Sequence, residues 1–223
     1  MTYELRLYKD ELAPGALVPV NGNAGRVTAS YVVTGGLRLR SEALSAAFAA
    51  NSAFYVKDAA DVLGSSVPVL VLRWELAVAG AAPSEEAPPG VVTKLLLSAP
   101  LSLDRGKSYL LRCDRVDFPP GGVAFRHTHQ GGGIRCLLSG SIEIETQDAR
   151  HRCGPLEAWF EAGPDPVFAA ASASEPSAFV RLMILPRSLL GKSSIAYVNA
   201  DDLAKPKSQS YQVFIDTPFE LPR

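Results

Sequence analysis

Apolar and polar residues alternate along most of this chain in short runs. Leu37-Arg-Leu-Arg40 alternates strictly, residues 109–118 alternate up to Pro119-Pro-Gly-Gly122, and residues 141–145 put acids on one face. A period of two is that of an extended strand, whose successive side chains point to opposite faces. Residues 16–20 and 27–33 are β-branched and apolar, and 91–103 resume the same character. Residues 179–185 are almost wholly apolar, as suits a buried strand. Further runs lie at 157–161, 167–171 and 211–215. Turn chemistry separates them: Leu12-Ala-Pro-Gly15, Asn21-Gly-Asn-Ala-Gly25, Gly35-Gly36 and Ala162-Gly-Pro-Asp-Pro166, with 146–152 a polar hairpin. Residues 41–50 are alanine-rich and could form a helix by propensity. A repeat overrides that and makes them a hairpin and a short strand. The pattern predicts an all-β protein.

The repeat sets Tyr31-Val-Val-Thr-Gly-Gly-Leu-Arg-Leu-Arg40 over Cys136-Leu-Leu-Ser-Gly-Ser-Ile-Glu-Ile-Glu145, a shift of 105 residues. The same shift carries Ala53-Phe54-Tyr55 onto Ala158-Trp159-Phe160 and Pro14 onto Pro119. After a small insertion, Val69-Leu-Val-Leu-Arg73 matches residues 179–183. Each half is then one supersecondary unit. Gly80-Ala-Ala-Pro-Ser-Glu-Glu-Ala-Pro-Pro-Gly90 reads as a linker. The expected division is 1–85, 86–186, and a tail 187–223 that docks on a barrel or a partner subunit.

Charge and composition narrow the function classes. The formal charge is −1, with acids and bases interspersed, so neither nucleic acid nor a membrane surface is an expected partner. The stretch 67–81 is cut by Arg73 and Glu75, and the N-terminus carries charges where a signal peptide has an apolar core. A cytoplasmic location is expected. Cys113, Cys136 and Cys153 are odd in number and far apart, so they read as reduced thiols packed as small hydrophobes.

The chemistry concentrates in Phe125-Arg-His-Thr-His-Gln-Gly-Gly-Gly-Ile-Arg-Cys-Leu-Leu-Ser-Gly140. His127 and His129 lie two apart, so on a strand their imidazoles converge on one point. Imidazole is the commonest ligand for zinc, iron, copper and nickel. The stretch resembles the first motif of the cupin family, a His-x-His pair followed by a glutamate and, after six intervening residues, a glycine. The spacing to Gly140 puts Gly133 in the glutamate's place. In the family's second motif the third histidine falls here on Pro166 or Val167, neither of which binds metal. Glu161, Gln130 and Asp165 remain as candidates, and Glu161, ending a strand beside the site, would complete a two-histidine, one-carboxylate set. At the repeat shift, His127 and His129 fall on Gly22 and Ala24, so the first copy reads as structural, or as holding an apolar pocket.

Arg135 shares the inward face with position 133 and must have an anionic partner. Glu161 or Glu143 could pair with it, or it could receive a substrate carboxylate through its fork. Phe125 and Trp159 are candidate lining residues, with Gln130 beside them, and His151 reads as a surface residue. The resemblance implies two tandem jelly-roll-like cupin barrels, the second holding a divalent metal (iron, zinc, manganese or nickel). It implies a small-molecule ligand and a homodimer, the latter argued also from the apolar tail. The expected function is metal-dependent and dioxygenase-like on a carboxylated substrate, with Arg135 orienting it. The alternative is a non-catalytic cupin that binds an organic acid without metal.

Overall fold

The computed structural model describes residues 2–21, 25–42, 45–82, 87–146 and 149–223. Parts of the Asn21–Gly25 turn, the alanine-rich stretch, the linker and the polar hairpin therefore lie outside the described residues, as do Gly22 and Ala24. The chain divides into two compact units. One comprises Met1–Arg105 with Leu221–Arg223, the other Gly106–Glu220. Among the described residues the regular elements are strands and two short 3-10 turns.

In the first unit β1 (Thr2–Leu12), β3 (Arg26–Thr34), β6 (Ser52–Val56), β8 (Val69–Val78) and β9 (Val91–Ser102) form a sheet of order β6-β3-β8-β1-β9. A second sheet has the order β2-β7-β4-β5, from β2 (Leu17–Asn21), β4 (Gly36–Arg40), β5 (Ser45–Ala49) and β7 (Ala59–Gly64). Leu12, Val32, Phe54, Val69 and Val71 from one sheet pack on Leu37, Leu39 and Val62 from the other. The alanine-rich stretch thus yields a strand because cross-strand pairing with β4 outweighs helix propensity.

The second unit repeats this order. β10 (Tyr109–Phe118), β12 (Gly133–Ser139), β15 (Ala158–Glu161), β17 (Ser177–Pro186) and β19 (Ser210–Phe219) run β15-β12-β17-β10-β19. The facing sheet is β14-β13-β16-β11-β18, from β11 (Val123–His129), β13 (Ile142–Glu145), β14 (Arg150–Cys153), β16 (Val167–Ala171) and β18 (Ile195–Tyr197). Val116, Leu137, Trp159 and Phe179 pack on Ala124, Ile142, Ile144, Val167 and Ala169 between the sheets. All three cysteines are free and buried.

The repeat holds down to single contacts. Gly35 and Gly140 both have positive φ, +75° and +73°. A Cβ on either would meet a proline carbonyl, Pro68 O at 2.6 Å or Pro176 O at 2.4 Å. Only glycine satisfies both demands. Register corrects the alignment of the later strands: Val32 faces Val71 and Leu137 faces Phe179. Arg73 therefore corresponds to Arg181, a shift of 108, two residues less than the apolar pattern suggests. The repeated strand slid along its own run because a uniformly apolar sequence carries little register information.

The organisation departs from expectation at the boundary between the units and in the interior of the first. β9 pairs along β1, so 91–102 belongs to the first unit and the division falls at 105/106 rather than 85/86. The tail as far as Glu220 belongs to the second unit: β18 pairs with His127–His129 of β11, and β19 pairs with β10 as β9 does with β1. Nor is the interior of the first unit an apolar pocket. Arg73 bonds Asp10 through Nε at 2.5 Å, pairs with Glu75, and stacks 4.5 Å from the Tyr8 ring, while Arg6 pairs with Glu4.

Candidate functional site

β11 carries a bulge between Ala124 and His127. Ala124 faces the core, and the bulge resets alternation so that His127 and His129 face it too. Both imidazoles are buried, 6% and 3% exposed, with Nε2 atoms 3.2 Å apart and rings at 88°. His127 Nδ1–H donates to Phe125 O at 2.7 Å, which fixes the proton on that nitrogen and leaves Nε2 bare in the neutral ring. His129 Nδ1 lies 3.3 Å from Ser194 Oγ. Burial pulls both histidines down, His129 to about 3, so both are neutral near pH 7.

The carboxylate comes from the next strand. Gly133 is paired directly with Glu161 across β12 and β15. A Cβ at Gly133 would meet Leu182 O at 2.3 Å and Met183 Cα at 2.9 Å, so no side chain fits there. Glu161 Oε2 is 3.4 Å from His129 Nε2, and Oε1 accepts from Trp159 Nε1 at 2.9 Å. Ligating atoms of His127, His129 and Glu161 all lie within 4.8 Å of one another.

Arg135, fully buried, takes the internal partner. Its Nη2 is 2.7 Å from Glu161 Oε2, and Nη1 donates to Gly133 O at 2.6 Å. The ion pair is close but poorly aligned, because Oε2 has no donor in hydrogen-bond geometry and neither has Arg135 Nε a hydrogen-bond acceptor among the described residues. Burial opposes ionisation of both groups. It draws Arg135 down to about 10, yet the guanidinium still holds Glu161 well below the usual carboxylate range. Beside Arg135 in register is Arg181, whose Nε and Nη2 bond Asp114 at 2.6 and 3.1 Å. Arg135, Arg181, Asp114 and Glu161 thus form a band of two guanidiniums and two carboxylates. This band lies between the apolar cluster around Trp159 and a second one of Leu110, Met183, Leu185 and Leu189.

The other residues singled out from the sequence lie elsewhere. Gln130 is exposed, and its backbone N–H donates to Ser194 O. Phe125 sits in the bulge under Lys205 and Lys207, 4.9 and 5.3 Å from its ring centroid. Trp159 is core wall, edge-on to Phe179, and reaches the site only through Glu161. Glu143 pairs with Arg150 rather than Arg135. Asp165 and His151 are exposed. Sequence reading missed Ser194, Asp114 and Arg181. The inward position of Arg181 on an apolar strand was the one available signal for it, and nothing local marks Ser194.

The site's atoms suit a divalent ion. Two ligands at metal–nitrogen and metal–oxygen lengths of about 2.1 Å, at a tetrahedral angle, stand about 3.4 Å apart. The His127–His129 and His129–Glu161 separations of 3.2 and 3.4 Å match, and the three atoms together lie within 4.8 Å. The bare Nε2 of His127 and the donor-less Oε2 of Glu161 are the lone pairs such an ion would take.

No known protein-family pattern matches the chain, and no curated protein does. Solved structures do. A mutant of oxalate decarboxylase from Bacillus subtilis matches at a TM-score of 0.65 and 10% identity, over 90% of this chain and 73% of that one. AerE from Microcystis aeruginosa matches at 0.57 and 16%, over 82% and 88%. A protein described as glyoxylate-induced, from Pseudomonas aeruginosa, matches at 0.58 and 15%, over 81% and 74%. At these identities the likeness is one of fold.

Proposed function

The chain has the cupin fold in two tandem copies, and on that premise we propose that the second barrel is a divalent-metal site acting on a small carboxylated molecule. One observation carries the reading. His127 Nε2, His129 Nε2 and Glu161 Oε2 converge, while the far atom of each side chain is engaged by Phe125 O, Ser194 Oγ or Trp159 Nε1. Ligands oriented from behind in this way are the usual form of a metal centre.

Two histidines and one carboxylate are the donor set of non-haem iron(II) oxygenases, and the structurally similar Bacillus subtilis oxalate decarboxylase has Mn(II) centres. Iron and manganese are therefore the first ions to test. Such an ion would supply Lewis acidity at an open coordination position, or activate oxygen there. His127, His129 and Glu161 would hold it, Trp159 orients Glu161 from its far oxygen, and the two flanking apolar clusters exclude water. The two guanidiniums and two carboxylates already balance, so a divalent ion adds positive charge that favours an anionic ligand. That supports a carboxylate as the ligand's recognised group.

A second reading, a metal-free cupin that binds an organic acid, is favoured by the 3.2 Å Nε2–Nε2 separation, itself a complete hydrogen bond. Elemental analysis of untagged protein separates the two. Near-stoichiometric metal, lost on His127→Ala/His129→Ala, is the expected result. Protein that carries no metal and takes up none of the added ions would overturn the metal reading and direct attention to carboxylate binding by calorimetry.

A further inference from the structure

The barrel that carries the histidines also carries a strap with no counterpart in the first unit's described residues. After β17 the chain makes a 3-10 turn, Arg187–Leu189, then loops into β18, which adds a fifth strand alongside His127–His129. Leu189 is buried against Leu110, Met183 and Leu185. Arg112 holds the loop: Nη2 donates to Leu189 O and Nη1 to Lys192 O, both at 2.7 Å. The same guanidinium grips Asp216 of β19 through Nε and Nη2 at 3.1 Å, and Asp216 accepts from Gly191 N at 2.8 Å. Gly191, at φ +68°, makes the turn that allows this. Thus clamped, the strap delivers Ser194, 3% exposed, to His129 Nδ1.

The proton count at the histidines gives that hydroxyl a task. His127 Nδ1–H faces a carbonyl, which can only accept, so His127 Nε2 is bare. Without metal, the 3.2 Å contact requires His129 Nε2 to carry the hydrogen, leaving Nδ1 to accept from Ser194 O–H. With an ion on Nε2, that proton must leave and Nδ1 must bear one instead. The ring stays neutral with one proton in each state. We propose that Ser194 is a positioning residue of the metal site, its hydroxyl donating to His129 Nδ1 in the metal-free barrel and accepting from Nδ1–H in the loaded one. A hydroxyl can do both, whereas the carbonyl behind His127 cannot. His127 is thereby preset and His129 is the ligand that exchanges tautomer. This rests on the metal reading above.

The test uses the full chain with zinc, which is diamagnetic. Zinc affinity is measured against a competing chelator for the wild type, Ser194→Ala and Ser194→Thr. Loss of an outer hydrogen bond to a ligand histidine costs about 10–100-fold in metal affinity. That loss is expected for Ser194→Ala, with recovery in Ser194→Thr. Nitrogen-15 imidazole spectra of the wild type are expected to show the His129 proton on Nε2 without zinc and on Nδ1 with it, a result that does not depend on how the variants fold. Equal affinity in Ser194→Ala, or one tautomer in both states, would overturn the inference and leave the metal reading standing. A wild type that takes up neither zinc nor iron nor manganese would sink both.

Discussion

Replacing Arg135 by Met should destabilise the metal-free protein and strengthen its grip on metal. At 2.7 Å the attraction between Arg135 and Glu161 is about 6 kcal/mol at an effective dielectric of about 20. Desolvating the two ions costs several kcal/mol each, so the pair contributes little net stability. Removing one partner is another matter, because Glu161, with its side chain 11% exposed, stays behind as a buried carboxylate. The expected loss is about 3–5 kcal/mol, since methionine restores volume but no charge. The double replacement Arg135→Met/Glu161→Leu should recover most of it, and the cycle then reports the coupling. Urea unfolding near pH 7 with a chelator present gives the stabilities. Competition titration gives the metal affinity, which should rise because Oε2 of Glu161 is released and a neighbouring cation is gone. A metal-free loss below about 1 kcal/mol would refute the buried-pair argument, and weaker metal binding would show that Arg135 supports the ligand rather than competing for it.

Acid should destabilise the metal-free protein from about pH 6.5 downward. His129 titrates near 6.5 unfolded and about 3 folded, so the unfolded chain binds more protons in between. Stability then falls by about 1.4 kcal/mol per pH unit, with His127 acting in the same direction. The depressed Glu161 adds its own loss only below about pH 4.3. Urea midpoints between pH 7.5 and 4.5 test this: His129→Gln should flatten the slope by about one proton, and a slope already flat in the wild type would contradict it. Gly133→Glu, which writes the family's glutamate into its motif position, should fail to fold or lose more than about 4 kcal/mol, because its Cβ meets Leu182 O at 2.3 Å. A soluble Gly133→Glu protein with native stability would show that β17 yields there.

The sequence alone determined the strands, the two-fold repeat and the face on which His127 and His129 meet. Each of these is written in local spacing: a period of two on the pleat, a shift of 105 between copies, a pair two residues apart. The repeat even overrode the helix propensity around Ala46–Ala47, where β5 pairs with β4. Glu161 was legible only as one of several candidates, because its nearness to Gly133 is a cross-strand pairing between residues 28 apart. The choice of Glu161 over Glu143 as partner of Arg135 had the same origin. So did the place of β9 in the first unit, the insertion of β18 and β19 into the second, and the arrival of Ser194 behind His129. Alternation says which face a side chain takes and nothing about which strand lies beside it. That neighbour is selected when whole sheets settle into register and bury their apolar rows together, and the buried charges are then paired with whatever carboxylate that register brings within reach.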